Sequence, residues 1–289
     1  MDPVTFLIQS LNGLQYGLLL FLVASGLTLV FGIMGVVNLA HGSFYMIGAY
    51  LAFSLASLTG NFFIALALGL VASVVLGLLL EWALFSRLYH RDHLDQVLLT
   101  YGLILIFEEL RSLAVGDDVH SVPVPAFLSS SIKLTDTLSY PVYRLFMSAV
   151  CIVLALIMYV VIQRTRLGMR VRAGTSNRDM AEGLGVDIRL LFRFVFAFGV
   201  ALAAFAGMLA APVSSVFPGL GRQVLILCFV VVVIGGIGSV WGALLAALLI
   251  GFTDTFGKVL FPDYAGLSVY VLMAAILLWR PAGLFGRAT

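Results

Sequence analysis

The sequence predicts an all-α, polytopic membrane protein with about eight or nine transmembrane segments. Of its 289 residues, 62% are hydrophobic and only 10% are charged, whereas soluble domains carry about 25% charged residues. The mean hydropathy is +1.13, and the apolar runs are continuous rather than alternating, which excludes the pattern of a membrane β-barrel. We therefore predict that residues 1–289 form a single transmembrane domain.

The first predicted span, residues 14–34, ends at a break rather than at a polar loop. The break runs from Gly35 to Gly42, holds Asn38 and His41, and leads into another apolar segment. Backbone groups that are freed where a helix breaks inside a membrane can bind a polar solute. The two polar side chains are therefore candidates for the substrate path, although they can equally serve as caps that satisfy the helix ends.

Three further spans are predicted at residues 61–84, 96–113 and 141–162, because each apolar run is long enough to cross a bilayer. Glu81 and Trp82, with the arginines that follow, mark the end of the first of these as a cytoplasmic exit.

The connection at residues 114–140 is polar and contains more acidic than basic residues. Its acidic and basic residues are Asp117, Asp118, Lys133 and Asp136. This balance favours the periplasmic side. Just before the connection, Glu108 and Arg111 are three residues apart and are predicted to pair on one helix face.

Residues 163–193 form a polar loop that holds seven of the sixteen Lys and Arg residues of the chain. A basic loop between two apolar runs stays in the cytoplasm because positively charged flanks resist translocation. This loop and the C-terminus are therefore predicted inside, and the N-terminus outside. An ordinary solvated loop, whose arginines only set the topology, would have the same composition.

The loop also contains the signature of a short helix. Ser176 and Asp179 have the spacing of a capping box, while Gly183 and Gly185 are suited to end a helix of about two turns.

The short helix has a small apolar face. Met180 and Leu184 are four residues apart, with Ala181 beside them. Such a face on a polar cytoplasmic loop predicts docking on a partner protein.

The last part of the chain is the most apolar. A span at residues 190–211 is followed by an apolar stretch at 224–256, which is too long for one crossing and is interrupted by a Gly-Gly-Ile-Gly-Ser sequence at 235–239. We predict either two spans joined by a tight turn or glycine-broken, re-entrant helices within the membrane, and a final span at 265–279. Asp254, flanked by two threonines, can either line a path or bond a neighbouring helix.

The two glycine-rich breaks resemble each other, which indicates a weak internal repeat. Repeats of this kind often enclose the substrate path in transporters, but glycine also serves close helix packing. The glycines assigned a structural role are Gly32, Gly35, Gly42, Gly235, Gly236 and Gly238. The residues assigned to the substrate path are Asn38, His41, Ser43, Tyr45 and Asp254.

Enzymatic and metal-dependent functions are not expected. The sequence lacks a Gly-x-x-x-x-Gly-Lys-Ser/Thr phosphate-binding motif, so the chain is not expected to hydrolyse ATP itself. His90 and His93 have a metal-like spacing but no nearby cysteine or third histidine. We therefore assign no catalytic residue, no metal ligand and no cofactor to this chain.

Four segments resemble the permeases of branched-chain amino acid ATP-binding-cassette (ABC) transporters of the LivH type. They are residues 26–50 (GLTLVFGIMGVVNLAHGSFYMIGAY), the loop segment made of 166–173 and 177–187, the glycine turn at 235–239 and the closing 280–286 (RPAGLFG). The segments follow one another in the order of the family, and the resemblance covers nearly the whole chain.

The resemblance implies an importer of the bacterial inner membrane. Two permease subunits would work with two cytoplasmic ATPases, which use ATP and Mg²⁺, and with a periplasmic solute-binding protein. The second permease is expected to be LivM-like, so that a heterodimer is favoured over a homodimer. An ATP-independent secondary transporter or channel for a small polar solute is the alternative.

The resemblance also implies roles for residues and a choice of solutes. The loop helix would couple transport to the ATPase through Ser176, Asn177, Arg178, Asp179, Met180, Ala181, Glu182, Leu184 and Gly185. Gly183 departs from the family, since many relatives carry a larger residue there. Relatives import branched-chain amino acids, urea, short amides or aromatic acids. An arginine that could hold a carboxylate within a span is missing, unless Arg111 or Arg222 reaches inward.

Overall fold

The computed structural model describes residues 3–89, 91–135 and 138–286, and these residues are mostly helical. The elements, in chain order, are α1 (Pro3–Met34), α2 (His41–Thr59), α3 (Phe62–Ala83), α4 (His93–Val115), β1 (Ser131–Thr135), β2 (Leu138–Pro141), α5 (Val142–Arg164), α6 (Arg166–Ser176), α7 (Arg178–Gly183), α8 (Ile188–Ala210), α9 (Leu220–Gly235), α10 (Val240–Leu260) and α11 (Ala265–Trp279). The prediction of an all-α polytopic protein is confirmed. His90 and Asp136 lie outside the described residues.

Six of the described helices are long and apolar enough to cross a membrane: α1, α2, α3, α5, α8 and α10. Helices α9 and α11 are apolar but shorter, and α4 carries Glu108, Glu109 and Arg111. The number of membrane crossings therefore stays a prediction.

Helix α5 separates the two polar connections. Its 23 residues span about 35 Å, with the β1–β2 hairpin at one end and residues 163–193 at the other. We call the end of the bundle that carries residues 163–193 the inner end, and the opposite one the outer end. At the outer end, His120 and Val216 form an antiparallel bridge that joins the α4–α5 connection to the α8–α9 link.

Helix α1 is the central helix of the bundle. It packs against α5, α8, α9 and α10, and every residue from Gly17 to Val30 is buried. A helix that is hydrophobic on all sides is stable only when neighbours surround it.

The predicted break after α1 sends the chain back into the bundle. Gly35 has a φ of +66°, a conformation that glycine adopts without steric cost, and α2 then begins at His41. The imidazole of His41 reaches the backbone of Val23, in the second half of α1. Helix α2 therefore starts inside the bundle rather than at its inner end.

The two glycine-rich breaks meet at the inner end. A Cβ atom added to Gly32 would lie 2.5 Å from the Cα atom of Gly238. Because the Gly238 Cα atom belongs to the backbone, it cannot move aside as a flexible side chain would.

Replacing Gly32 by alanine is therefore expected to lower the free energy of unfolding by about 1–3 kcal/mol, as overpacking does. Thermal unfolding of the detergent-solubilised protein measures the change. Gly102 in α4 is the matched control, because a Cβ atom there would have no neighbour within 4 Å. Alanine at that position should leave the stability unchanged or raise it; an equal loss at both positions would contradict the packing argument.

Candidate functional site

The helix break holds two fully buried polar side chains, Asn38 and His41. The Asn38 side-chain oxygen accepts a hydrogen bond from the Ala40 backbone N–H at 3.0 Å. The His41 Nε2 atom lies 2.9 Å from the Val23 carbonyl oxygen, to which it donates. Asn38 thus supports the local turn as a cap does, while His41 attaches the start of α2 to α1.

Each of these two side chains also has one nitrogen without a partner. The buried Nδ2 of Asn38 and Nδ1 of His41 make no hydrogen bond within the described residues. Buried polar atoms are nearly always paired, so this part of the bundle can still bind a polar group. The assignment of both residues to the substrate path stays a prediction.

Tyr45 and Asp254, two other predicted substrate-path residues, line one cavity at the outer end. Its volume is about 520 Å³. We call it the outer cavity; its walls are formed by Gln9, Asn12, Gln15, Tyr16, Leu19, Tyr45, Arg144, Met147, Ala210, Val213, Ser214, Asp254, Thr255, Lys258 and Val259. Asn38, His41 and Ser43 do not line it, and Ser43 is buried elsewhere in α2.

The polar wall from α1 was missed by the sequence analysis. Gln9, Asn12 and Gln15 are three residues apart and Tyr16 is four residues after Asn12, so the four residues share one helix face. A search for polar residues at helical spacing at the start of the chain, extended into the first predicted span, would have found this face.

Arg144 of α5 and Lys258 of α10 bring positive charge to the outer cavity. Arg144 Nη1 donates to the Asn12 side-chain oxygen at 2.6 Å. The same oxygen accepts from the Tyr140 hydroxyl at 3.1 Å. Lys258 pairs with Asp254 at 2.5 Å and lies over the Tyr16 ring.

Neither arginine that was considered for a substrate carboxylate lies at this cavity. The Arg111 side chain contacts Glu108 at 3.5 Å, as predicted, and Asp117 at 2.9 Å. A hydrogen bond from Ser112 and the Arg111 charge together lower the pKa of Asp117 below its usual value. Arg222 is exposed in the first turn of α9. The arginine that lines the outer cavity is Arg144, which the sequence analysis did not consider.

The polar loop at the inner end contains two helices, α6 and α7. The predicted capping box is wrong in its position: Ser176 is the last residue of α6, and the cap of α7 is Asn177. The Asn177 backbone is extended, and its side-chain oxygen accepts from the Met180 N–H at 2.9 Å. Asparagine caps a helix as well as serine does, so the cap moves by one residue. Gly185 has a φ of +86° and follows the end of the helix as predicted.

The apolar residues of α7 and of its C-terminal cap, Leu184, divide between two environments. Met180 and Leu184 are 64% and 80% exposed, whereas Ala181 is only 3% exposed. Ala181 therefore lies on the covered side of α7 and is not part of the exposed apolar face. Ser176, Asn177, Asp179 and Glu182 are exposed. The Arg178 side chain is not among the described atoms.

A buried carboxylate connects α3 to α8 near the inner end. Glu81 is 1% exposed; it pairs with Arg193 at 2.9 Å and accepts a hydrogen bond from the Tyr89 hydroxyl at 2.7 Å. The sequence analysis placed Glu81 only at the end of a span. The sequence did contain a signal for this pair: Glu81 is the one acidic residue in the predicted span 61–84, and Arg193 is the one arginine in the predicted span 190–211.

The sequence comparisons with known proteins all point to one family, and their matches cover nearly the whole chain. The model of a family described as the branched-chain amino acid transport system permease component matches residues 9–277. The chain is 30% identical to the high-affinity branched-chain amino acid transport system permease protein BraD of Pseudomonas aeruginosa, over 98% of this chain and 96% of that protein. It is 28% identical to the LivH permease protein of the corresponding Escherichia coli system, over the same shares of the two chains.

A solved structure supports the fold. The chain resembles a chain of PsaBC from Streptococcus pneumoniae, solved in complex with a Fab, with a TM-score of 0.50 and 12% identity. The match covers 93% of this chain and 89% of the other.

Proposed function

This chain belongs to the family of branched-chain amino acid transport system permease components, and we propose that it is the membrane-spanning subunit of an ABC importer. It would move branched-chain amino acids, or a related small polar solute such as urea, a short amide or an aromatic acid, across the bacterial inner membrane. Transport would proceed by alternating access, driven by ATP hydrolysis in a partner protein.

The exposed apolar face of α7 is the observation that carries the link to an ATPase. Met180 and Leu184 stand on a polar loop that contains arginines on both sides of α7, and both side chains are largely exposed. Such side chains gain free energy when a partner covers them. Since the sequence has no phosphate-binding motif of its own, a cytoplasmic ATPase is the partner that fits.

The remaining partners follow from the family. A LivM-like permease would complete a heterodimer, two ATPases would bind at the inner end, and a periplasmic solute-binding protein would deliver the solute to the outer end. The outer cavity and the helix break at Asn38 and His41 would then form parts of the solute path.

Affinity purification tests the link to an ATPase. The tagged chain, co-expressed with the genes that neighbour it, is expected to retain an ATPase subunit in mild detergent, and solute uptake into vesicles should require ATP. A chain that never retains an ATPase, yet supports uptake without ATP, would instead be the ATP-independent transporter or channel.

A further inference from the structure

The charges around the outer cavity do not balance. Its lining contains two cations, Arg144 and Lys258, and one anion, Asp254. Lys258 is paired with Asp254, while the ion pairs found among the described residues do not include Arg144. The partly buried Arg144 guanidinium donates to the Asn12 side-chain oxygen and to the Tyr140 hydroxyl. It keeps further donors available, because the group carries five N–H donors. Arg144 can therefore bind a carboxylate in a two-pronged geometry.

Asp254 can accept a second positively charged group. Its side chain is 14% exposed, and the Lys258 ammonium contacts only its Oδ2 atom. A carboxylate has about four lone-pair positions, so the other oxygen remains able to accept. Lys258 itself is largely exposed and sits on a flexible stem, which allows it to make room for a ligand.

The two charged groups come from different helices. Arg144 stands on α5 and Asp254 on α10, and both helices pack against α1, which supplies Asn12, Gln15 and Tyr16 to the wall of the cavity. The cavity thus offers positive charge from α5, negative charge from α10, and neutral hydrogen-bonding groups from α1.

The rest of the wall is apolar. Leu19, Met147, Val213 and Val259 line the same cavity, whose volume of about 520 Å³ lies within the usual range for small-molecule sites. An aliphatic side chain would fit against these residues while its polar head group faces the charges.

From this arrangement we propose that the outer cavity binds an aliphatic α-amino acid as a zwitterion, with the carboxylate on Arg144 and the ammonium group on Asp254. The proposal rests on the proposed transport function and narrows its solute class. Urea and short amides carry neither charge and would not use this pair.

Cysteine protection tests binding directly. Ser214 lines the cavity, whereas its exposed neighbour Ser215 does not. The native Cys151 and Cys228 are fully buried and should give little background. In spheroplasts that carry the assembled transporter, L-leucine is expected to slow modification of Ser214→Cys by a charged, impermeant thiol reagent, but not modification of Ser215→Cys.

Two charge variants test the roles of the two groups. Arg144→Gln and Asp254→Asn, each combined with Ser214→Cys, should raise the L-leucine concentration for half protection by about tenfold or more, as expected when a charge-assisted hydrogen bond is lost. Arg144→Lys keeps the charge and should recover part of the loss. Arg222→Gln and Asp263→Asn remove charges at the outer end that do not line the cavity, and they should have no effect.

Single-charge analogues separate the two groups further. Protection by 4-methylpentanoate should depend on Arg144 and not on Asp254, and protection by 3-methylbutylamine should show the reverse. The proposal is overturned if L-leucine protects both cysteines or neither, if Ser214→Cys does not react without solute, or if the charge variants behave as the two controls do. ATP-dependent uptake by the unmodified transporter, measured in parallel, shows whether the transport function stands when the site assignment fails.

Discussion

Replacing Met180 and Leu184 together by aspartate is expected to abolish ATP-driven uptake while the permease still inserts and folds. Both side chains are exposed in the isolated chain, so the substitutions should change its stability by no more than about 0.5 kcal/mol. In the complex, the loss of two apolar contacts, each worth about 1.5–3 kcal/mol when fully buried, and the burial of two unpaired charges would remove the ATPase. Uptake, ATPase retention and thermal unfolding are measured on the same preparation.

Two comparison variants make this result specific. Val119 is also largely exposed, but it lies at the outer end, so Val119→Asp should leave ATPase retention unchanged. Ala181→Asp would place a charge at a buried position and should lower stability, so it cannot report docking alone. If the Met180 and Leu184 double variant keeps both its ATPase and normal uptake, α7 is not the docking element.

Removing the carboxylate of Glu81 is expected to have the second large effect. In Glu81→Ala, the Arg193 guanidinium and the Tyr89 hydroxyl both lose this buried acceptor. Breaking a fully buried ion pair costs about 3–5 kcal/mol, and since Arg193 is 40% exposed we expect a smaller loss of about 2 kcal/mol in the free energy of unfolding. Thermal or denaturant unfolding in detergent measures it.

A double-mutant cycle shows whether the pair itself is responsible. Glu81→Gln and Arg193→Gln should each destabilise the protein, and the double variant should lose less than the sum of the two, because each single change already breaks the same contact. Glu109, an exposed acid on α4, is the matched control, and Glu109→Ala should be nearly neutral. Additive effects of the two pair variants would mean that Glu81 and Arg193 do not act together.

The fold class could be predicted because its signals are local. Inside a bilayer only helices and closed barrels satisfy the backbone hydrogen bonds, so a long continuous apolar run predicts a helix. Each predicted span, from the first at residues 14–34 to the last at residues 265–279, corresponds to a helix. Gly35 and Gly185 were predicted where the chain turns, and both adopt the left-handed conformation that favours glycine.

The pairing of polar side chains could not be predicted from the same signals. Glu81 and Arg193 are 112 positions apart in the sequence, and Asn12 and Arg144 are 132 positions apart. Which of them meet depends on how the helices pack and rotate. Hydrophobic periodicity, which normally reports the buried face of a helix, is weak when nearly every position is apolar.

The sequence by itself therefore determined that this chain is a helical membrane protein with a glycine break after its first span and a basic loop, because bilayer length, glycine conformation and loop charge are properties of short segments. Only the tertiary structure decided that Ala181 is covered while Met180 and Leu184 are exposed, and that Arg144 and Asp254 line one cavity. Those results depend on which faces of distant helices come together, and in an apolar chain that choice is made by side-chain packing rather than by contact with water.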